Sequence, residues 1–381
     1  MLTVAPSAAG EPTRLEDWDC PEVTPEAVWK AVLGAVRAVW AGDNKRELIK
    51  ITLGTEVAFD GELLPAPDGS ESSDAWLARM RRKAGPDTPV LLYARELASH
   101  DRDLFELLLS ACGRTVFERH GLVSGNIDIE VFLGEYSATP GGIHREQCGN
   151  SHFVVEGRKF MHFWHGEEWI PQAVVRQKAE GDNAVDPEEY LPSLAVPAVV
   201  ERGVSLLAKA GQFFTWDPGT WHVAETVGPA LALNIARYTR SFTPGEGTYP
   251  FTAEADGRVD DAWLAGCQEF LGEPDLAQTL AAVSAYGLVG AEAAYEVPAT
   301  VSRVAVRSLA PRLWHAARDE VLVATHGRCH AAPASVLPWY TGLAGLPVGT
   351  ERSVPADDDT QALARFLIAN GALRPSGIPA S

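Results

Sequence analysis

The chain of 381 residues carries 32 basic and 51 acidic side chains, a formal charge of −19, with 46% apolar and 22% charged residues. That field repels phosphate backbones and no local basic patch offsets it, so no nucleic-acid partner is expected and a neutral or cationic peptide fits better. No run of about 18 apolar residues offers a membrane span, and the first residues lack a basic start followed by an apolar block, so no membrane association and a cytoplasmic location are expected. Cys20, Cys112, Cys148, Cys267 and Cys329 are scattered with no CxxC pair, which points to reduced thiols rather than a disulfide framework or structural zinc.

The length exceeds one compact domain, so a large core with a smaller appended unit is expected. The first twenty or so residues read as loosely held. Thr24-Pro25-Glu26 reads as an N-cap, a first-turn proline and an early acid, opening a helix with a stripe of Val28, Val32, Val36, Val39 and Trp40. A second helix is expected from near Ser99 or Asp101, burying Leu104, Leu107, Leu108 and Ala111 and ending before His120-Gly121. From Ile127 the period changes: Ile127, Ile129 and Val131 alternate with Asp128 and Glu130, the pattern of a half-buried strand. His152 to Val155, the turn pair Glu156-Gly157 and Arg158 to Trp164 read as a hairpin. Strands follow at Val204 to Lys209, Gln212 to Trp216 and Ala230 to Tyr238, separated by turn formers such as Asp217-Pro218-Gly219. Short strands joined by turns without intervening helices point to an antiparallel barrel or jelly roll. The polar stretch from about Gln177 to Pro192 reads as an inserted loop over its mouth. Helical runs are expected at Asp260 to Leu271, Asp275 to Tyr286 and Asp358 to Ala369, with a strand pair around Glu320 to Ala332. The expected division is residues 1–252, a catalytic core with an N-terminal helical and strand extension, and residues 253–381, mostly helical.

Three features, far apart in sequence, point to one chemistry. In His144-Arg145-Glu146 the first and third residues of an extended segment face the same side, so an imidazole and a carboxylate can grip one ion. Alone, such a pair is common by chance. His222 closes Trp216-Asp217-Pro218-Gly219-Thr220-Trp221-His222, a strand end and turn that can deliver the third ligand of a two-histidine, one-carboxylate triad. A triad of that kind leaves coordination positions open for a chelating co-substrate and dioxygen. Lys159, fifteen positions after His144, sits on an expected strand, and a lysine pointing into a barrel is costly to bury without an anion. An inward Lys159 therefore implies a carboxylate brought by a ligand.

The run His144-Arg145-Glu146-Gln147-Cys148-Gly149-Asn150, followed by Gly157-Arg158-Lys159, resembles the HxD/E, N, GxK pattern of JmjC-type, cupin-like oxygenases. That family includes the asparaginyl hydroxylase of hypoxia-inducible factor and bacterial ribosomal-protein hydroxylases. The resemblance spans roughly Ile127 to Tyr238. It implies a double-stranded β-helix (jelly roll) core, mainly β with flanking helices. It also implies iron(II) bound by His144, Glu146 and His222, with 2-oxoglutarate and dioxygen as co-substrates. Lys159 would take the distal carboxylate, with Asn150 and Asn234 near its other end. Glu146 stands where an aspartate is commoner, and Gly141 where a hydroxyl residue is usual; Tyr136, Ser137 and Thr139 are the candidates to replace it. In size and texture the C-terminal region is similar to the helical, winged-helix-like unit that ribosomal-protein hydroxylases append.

The implied activity is hydroxylation of a C–H bond on an amino-acid side chain of a peptide or protein, a biosynthetic precursor peptide included. N-methyl demethylation uses the same chemistry. The alternatives are a metal-dependent cupin isomerase or dioxygenase that has no need of Lys159, and a non-catalytic interaction module. His152, His162 and His165 read as structural or surface residues, because positions three apart on a strand face opposite ways. His326 and His330, near Cys329, are too isolated for zinc. Trp164, Trp221 and Tyr238 read as core more readily than as a substrate groove. Arg145 is expected to point away from the metal, and the C-terminal region to serve packing or homodimerisation.

Overall fold

The computed structural model describes residues 13–18, 20–42, 48–58, 61–110, 116–117, 119–171, 174–177, 188–239, 248–254, 256–290, 295–308, 310–343 and 346–376. They group into two compact units, residues 1–101 with 125–247, and residues 102–124 with 248–381.

In chain order the first unit opens with β1 (Thr13–Asp17), α1 (Pro25–Trp40), β2 (Ile49–Leu53), β3 (Glu56–Ala58), α2 (Ser73–Ala84), β4 (Val90–Ala94) and α3 (Leu97–His100). The Thr24 hydroxyl accepts the Ala27 amide at 3.2 Å, a cap contributing about 1 kcal/mol. Val28, Val32 and Val36 are buried, but Trp40 at the helix end is 57% exposed, so the apolar stripe stops a turn before the helix does. After a short α3 that ends at the extended Asp101, the helix expected from near Ser99 or Asp101 starts at Arg102 as α4 (Arg102–Leu107) and goes on in wider helical turns at residues 108–110 and 116–117. Leu104 and Leu108 are buried as expected, Leu107 only partly, and Ala111 lies outside the described residues. α4 and β5 (Leu122–Val123) belong to the second unit.

The first unit resumes with β6 (Ile127–Glu135), β7 (Ile143–Arg145), β8 (Cys148–Glu156), β9 (Arg158–Trp164), β10 (Val175–Gln177), β11 (Glu188–Leu191), β12 (Val204–Lys209), β13 (Gln212–Trp216), β14 (Trp221–Thr226) and β15 (Ala230–Tyr238). They form two antiparallel sheets. The larger runs β1-β13-β8-β15-β6-β4-β2-β3, the smaller β10-β11-β7-β14-β9-β12. The chain changes sheet at each turn from β6 to β9 and again from β12 to β15, so the side chains facing between the sheets come from strands of both. Met161, Phe163, Leu206, Phe214 and Trp216 pack together there.

Four local expectations are corrected. β8 and β9 are not a hairpin: β8 pairs with β13 and β15, and β9 with β12 and β14. Glu156-Gly157 is a corner between sheets rather than a turn within one. Residues 13–17 are held, because β1 pairs with β13. Glu188–Leu191 is a strand paired with β7, while residues 178–187 lie outside the described residues. Finally, β6 is buried on both faces. It sits between β15 and β4, its Ile129 and Val131 face packs beneath α2 and α3, and Glu130 and Phe132 line a cavity. The polar alternation read as solvent-facing is therefore the inward one.

The second unit continues with β16 (Thr248–Tyr249), paired with β5, then α5 (Asp261–Leu271), α6 (Leu276–Ser284), β17 (Arg303–Val306), β18 (Arg312–Ala317), β19 (Glu320–Thr325), β20 (Arg328–Pro333), α7 (Leu337–Thr341), β21 (Glu351–Ser353), α8 (Asp358–Ala369) and β22 (Leu373–Pro375). Asp260, Asp275 and Asp357 cap the three long helices through their carboxylates. The unit is a mixture of helices with two three-stranded sheets, β18-β19-β20 and β21-β17-β22, not mostly helical. Its short strands are alanine-rich, a composition that favours helix locally and that sheet pairing overrides. Among the described residues no helix is long and apolar enough to cross a membrane.

The corner at Gly157 has φ +78°, and a Cβ there would stand 2.2 Å from the Pro229 carbonyl oxygen. Gly157→Ala is expected to cost about 1–3 kcal/mol from the left-handed backbone, with the collision adding to it, measured as a fall in the denaturation midpoint.

Candidate metal centre

β7 and β14 are neighbours, and their register places His144 opposite His222, with ring centroids 4.4 Å apart. His144 Nδ1 lies 2.9 Å from the Gly142 carbonyl and His222 Nδ1 2.9 Å from the Thr220 carbonyl. A carbonyl only accepts, so both Nδ1 atoms carry the proton and donate, and both Nε2 lone pairs are left for an ion. Burial lowers the pKa of both imidazoles, and His222, which also faces His144, falls well below the ordinary range. They are thus the neutral ligands a metal requires. Glu146, one residue past β7, brings Oε1 to 3.8 Å from His144 Nε2. One ligand atom from each of the three residues lies within 4.8 Å of the others, a spacing that a single ion closes with small side-chain adjustment. Among the described residues this is the only such group.

The carboxylate is held from behind. Cys148 Sγ donates to Glu146 Oε2 at 3.2 Å, and burial beside two acids raises the thiol well above its usual range, so it stays protonated. Asn150 Nδ2 donates to the Cys148 carbonyl and sulfur, both at 3.2 Å. Asn234 Nδ2 donates to Asn150 Oδ1 at 2.8 Å and to Glu130 Oε2 at 2.7 Å, and Tyr93 Oη donates to Glu130 Oε1 at 2.5 Å. Glu130, fully buried and facing Asp128 and Glu146, is pushed up to about 8. One buried chain of hydrogen bonds therefore runs from Tyr93 to the ligand carboxylate.

All six residues singled out in the sequence, His144, Glu146, His222, Lys159, Asn150 and Asn234, line one cavity of about 360 Å³. Lys159 is 0% exposed. Its Nζ lies 2.9 Å from His152 Nε2 and 5.2 and 5.5 Å from the Phe132 and Tyr136 ring centres. Burial alone brings the ammonium down to about 7; no carboxylate among the described residues offsets it. Of the candidates to replace a hydroxyl at Gly141, Thr139 lines the cavity. Tyr136 stands beside the amine with its buried Oη unpartnered, and Ser137 lines a separate surface pocket.

Other side chains fall out differently. Arg145 points away, bridging Glu189 and Glu167 and covering Trp221. His162 faces outward to Ser205 and Glu225, and Trp164 and Trp221 are core. Tyr238 is buried yet lines the cavity. His326 is bonded to Thr325, and His330 stacks on Phe366. His152 corrects the structural reading of its type: it shares the inward face of β8 with Asn150 and lines the cavity. The signal was its even spacing from Asn150. Glu130 and Tyr93 were missed because strand periodicity does not say which face a second sheet covers.

His222→Ala is expected to abolish binding of one manganese(II) or iron(II) ion per chain in anaerobic equilibrium dialysis. Cys148→Ala should weaken it about 10–100-fold through loss of outer support, and Cys148→Ser, which keeps a donor, should weaken it less.

No family model and no curated protein matches the chain. Solved structures similar to it include the Escherichia coli protein YcfD, described as a ribosomal oxygenase. Its complex with cobalt and succinic acid has a TM-score of 0.46 and 11% identity over 96% of this chain and 95% of that one. Its complex with cobalt and 2-oxoglutarate gives 0.44 and 11% over 96% and 95%, and a further X-ray structure of it gives 0.45 and 11% over 95% and 94%. At that identity and score the function of this chain is decided by its own cavity: two imidazoles, a carboxylate and a buried amine without a counter-ion.

Proposed function

We propose that the first unit is an iron(II)- and 2-oxoglutarate-dependent oxygenase of the JmjC-like cupin type, hydroxylating a C–H bond on an amino-acid side chain of a peptide or protein. Strands β6 to β9 and β12 to β15, four in each sheet, are the eight that a double-stranded β-helix requires. The observation that carries the reading is a fully buried lysine whose charge no carboxylate among the described residues offsets, in the cavity that also holds the triad. An ammonium is too costly to desolvate unless a ligand supplies the opposite charge. A metal-only cupin has no use for it.

When bound, iron(II) with 2-oxoglutarate and dioxygen supplies the oxidative decarboxylation and the oxidant for C–H hydroxylation. The chain's own residues do the rest. His144, Glu146 and His222 would hold the ion, a ligand set of three that leaves coordination positions for a co-substrate. Lys159 holds the distal carboxylate. Asn150 spends its N–H donors on Cys148 and Asn234 its own on Glu130 and Asn150, so they hold the carboxylate ligand in place, and either would reach the co-substrate by exchanging one of those bonds. The net charge of −19 favours a neutral or cationic peptide as substrate.

Anaerobically loaded protein given iron(II), 2-oxoglutarate and then oxygen is expected to release succinate. Lys159→Ala should raise KM for 2-oxoglutarate about 10–100-fold, the worth of one charge-assisted bond. Metal binding without succinate would return the metal-only cupin reading.

pH supplies a separate check. Lys159 titrates near 7 when the site is free, and a bound carboxylate raises that value. Below about pH 7 the amine is already charged and affinity is level; above it a proton is taken up with the ligand, and affinity falls by up to about tenfold per pH unit. KM for 2-oxoglutarate is therefore expected to climb on the alkaline side, and to stay level in Lys159→Arg.

A further inference from the structure

We propose that His152 is a positioning residue: it fixes the Lys159 amine in the orientation that receives a distal carboxylate, and so sets the preference for a dicarboxylic over a monocarboxylic 2-oxoacid. The inference rests on the co-substrate reading above and adds a residue to it.

A lysine ammonium has three N–H donors and no acceptor. Here one is directed to His152 Nε2 at 2.9 Å, while the Phe132 and Tyr136 rings flank the nitrogen at 5.2 and 5.5 Å and accept no ordinary hydrogen bond. Among the described residues the imidazole is thus the hydrogen-bond partner of the amine. With one donor pinned and two ring faces alongside, the remaining N–H groups find an acceptor in what enters the cavity.

His152 is built to stay where it is. It is 3% exposed, sits on β8 opposite Asn234 of β15, and packs against Phe132, Phe214 and Trp216 with centroids 5.4, 6.4 and 6.1 Å away. Accepting at Nε2 requires the proton on Nδ1, and burial beside Lys159 keeps the ring neutral. Asn234 faces it across the strand pair with a buried amide oxygen, Oδ1, that has no hydrogen-bond partner. The same asparagine, through its Nδ2, braces the carboxylate side of the metal centre. A phenylalanine at 152 fills the same space but strips the amine of its acceptor; a glutamine places an amide oxygen where Nε2 stands.

The test titrates manganese(II)-loaded protein, without oxygen, with 2-oxoglutarate and with 2-oxobutyrate, which lacks the distal carboxylate. Wild type is expected to prefer 2-oxoglutarate. His152→Phe should lose about tenfold in 2-oxoglutarate affinity, the worth of one buried hydrogen bond, with 2-oxobutyrate unchanged; His152→Gln should recover most of the loss, and Lys159→Met should abolish the preference. In turnover, His152→Phe should raise KM for 2-oxoglutarate and leave kcat at saturation unaltered. Retention of the preference by His152→Phe, alongside its loss in Lys159→Met, overturns the role of His152 alone. So does equal loss of both ligands, or a His152→Gln variant no better than His152→Phe. Wild type that binds the two acids equally overturns the co-substrate reading, and this inference with it.

Discussion

An ammonium group kept dry is the constraint around which the first unit is organised. Removing a lysine from water costs several kcal/mol, more than any single packing contact returns. Yet Lys159 is enclosed by both sheets, with a neutral imidazole and two aromatic faces as its company. Such a site tolerates the charge poorly when empty and well when an anion arrives. Under the function proposed, the free energy withheld from the folded chain is returned when the co-substrate's carboxylate binds, which would favour an anion in the cavity even though the protein is strongly acidic.

The opposite charge problem is solved by protons. Glu130, Asp128 and Glu146 crowd the same region, and mutual repulsion with burial pushes Glu130 up to about 8. Asp128 is neutralised by Arg95 at 2.7 Å. That leaves Glu146 as the acid placed to bind a cation, supported by a thiol whose proton is held by the same burial. The hydrogen-bond chain through Asn150 and Asn234 ties these protonation states to four adjacent strands of the larger sheet, β8, β15, β6 and β4. A partly satisfied network of this kind is costly, and here it is held by strands paired on both sides.

The second unit solves a simpler problem. Its core of Val304, Val321, Val323, Trp314, Tyr340, Leu363 and Leu367 joins two small sheets to α8, and among the described residues none of its buried titratable groups forms a ligand cluster. His326, driven to about 3 by burial and nearby arginines, is a core histidine in the ordinary sense.

Much was legible in the chain itself. Residue type and short spacing put His144 and Glu146 forward as a pair, because alternate positions of an extended segment face one side; His222 and Lys159 joined them through the motif order, and the β7–β14 register sets His222 beside His144. Capping chemistry marked the start of α1, since a Thr cap acts within one turn of chain. What lay beyond the sequence was everything that depends on which strands meet. Whether Glu156-Gly157 closes a hairpin or turns a corner, whether Glu130 faces water or cavity, and whether His152 is idle or bonded to Lys159 are settled by pairings between residues up to about a hundred positions apart. A strand's period of two says that its faces differ, and only the second sheet, laid across one of them, decides which face is inside.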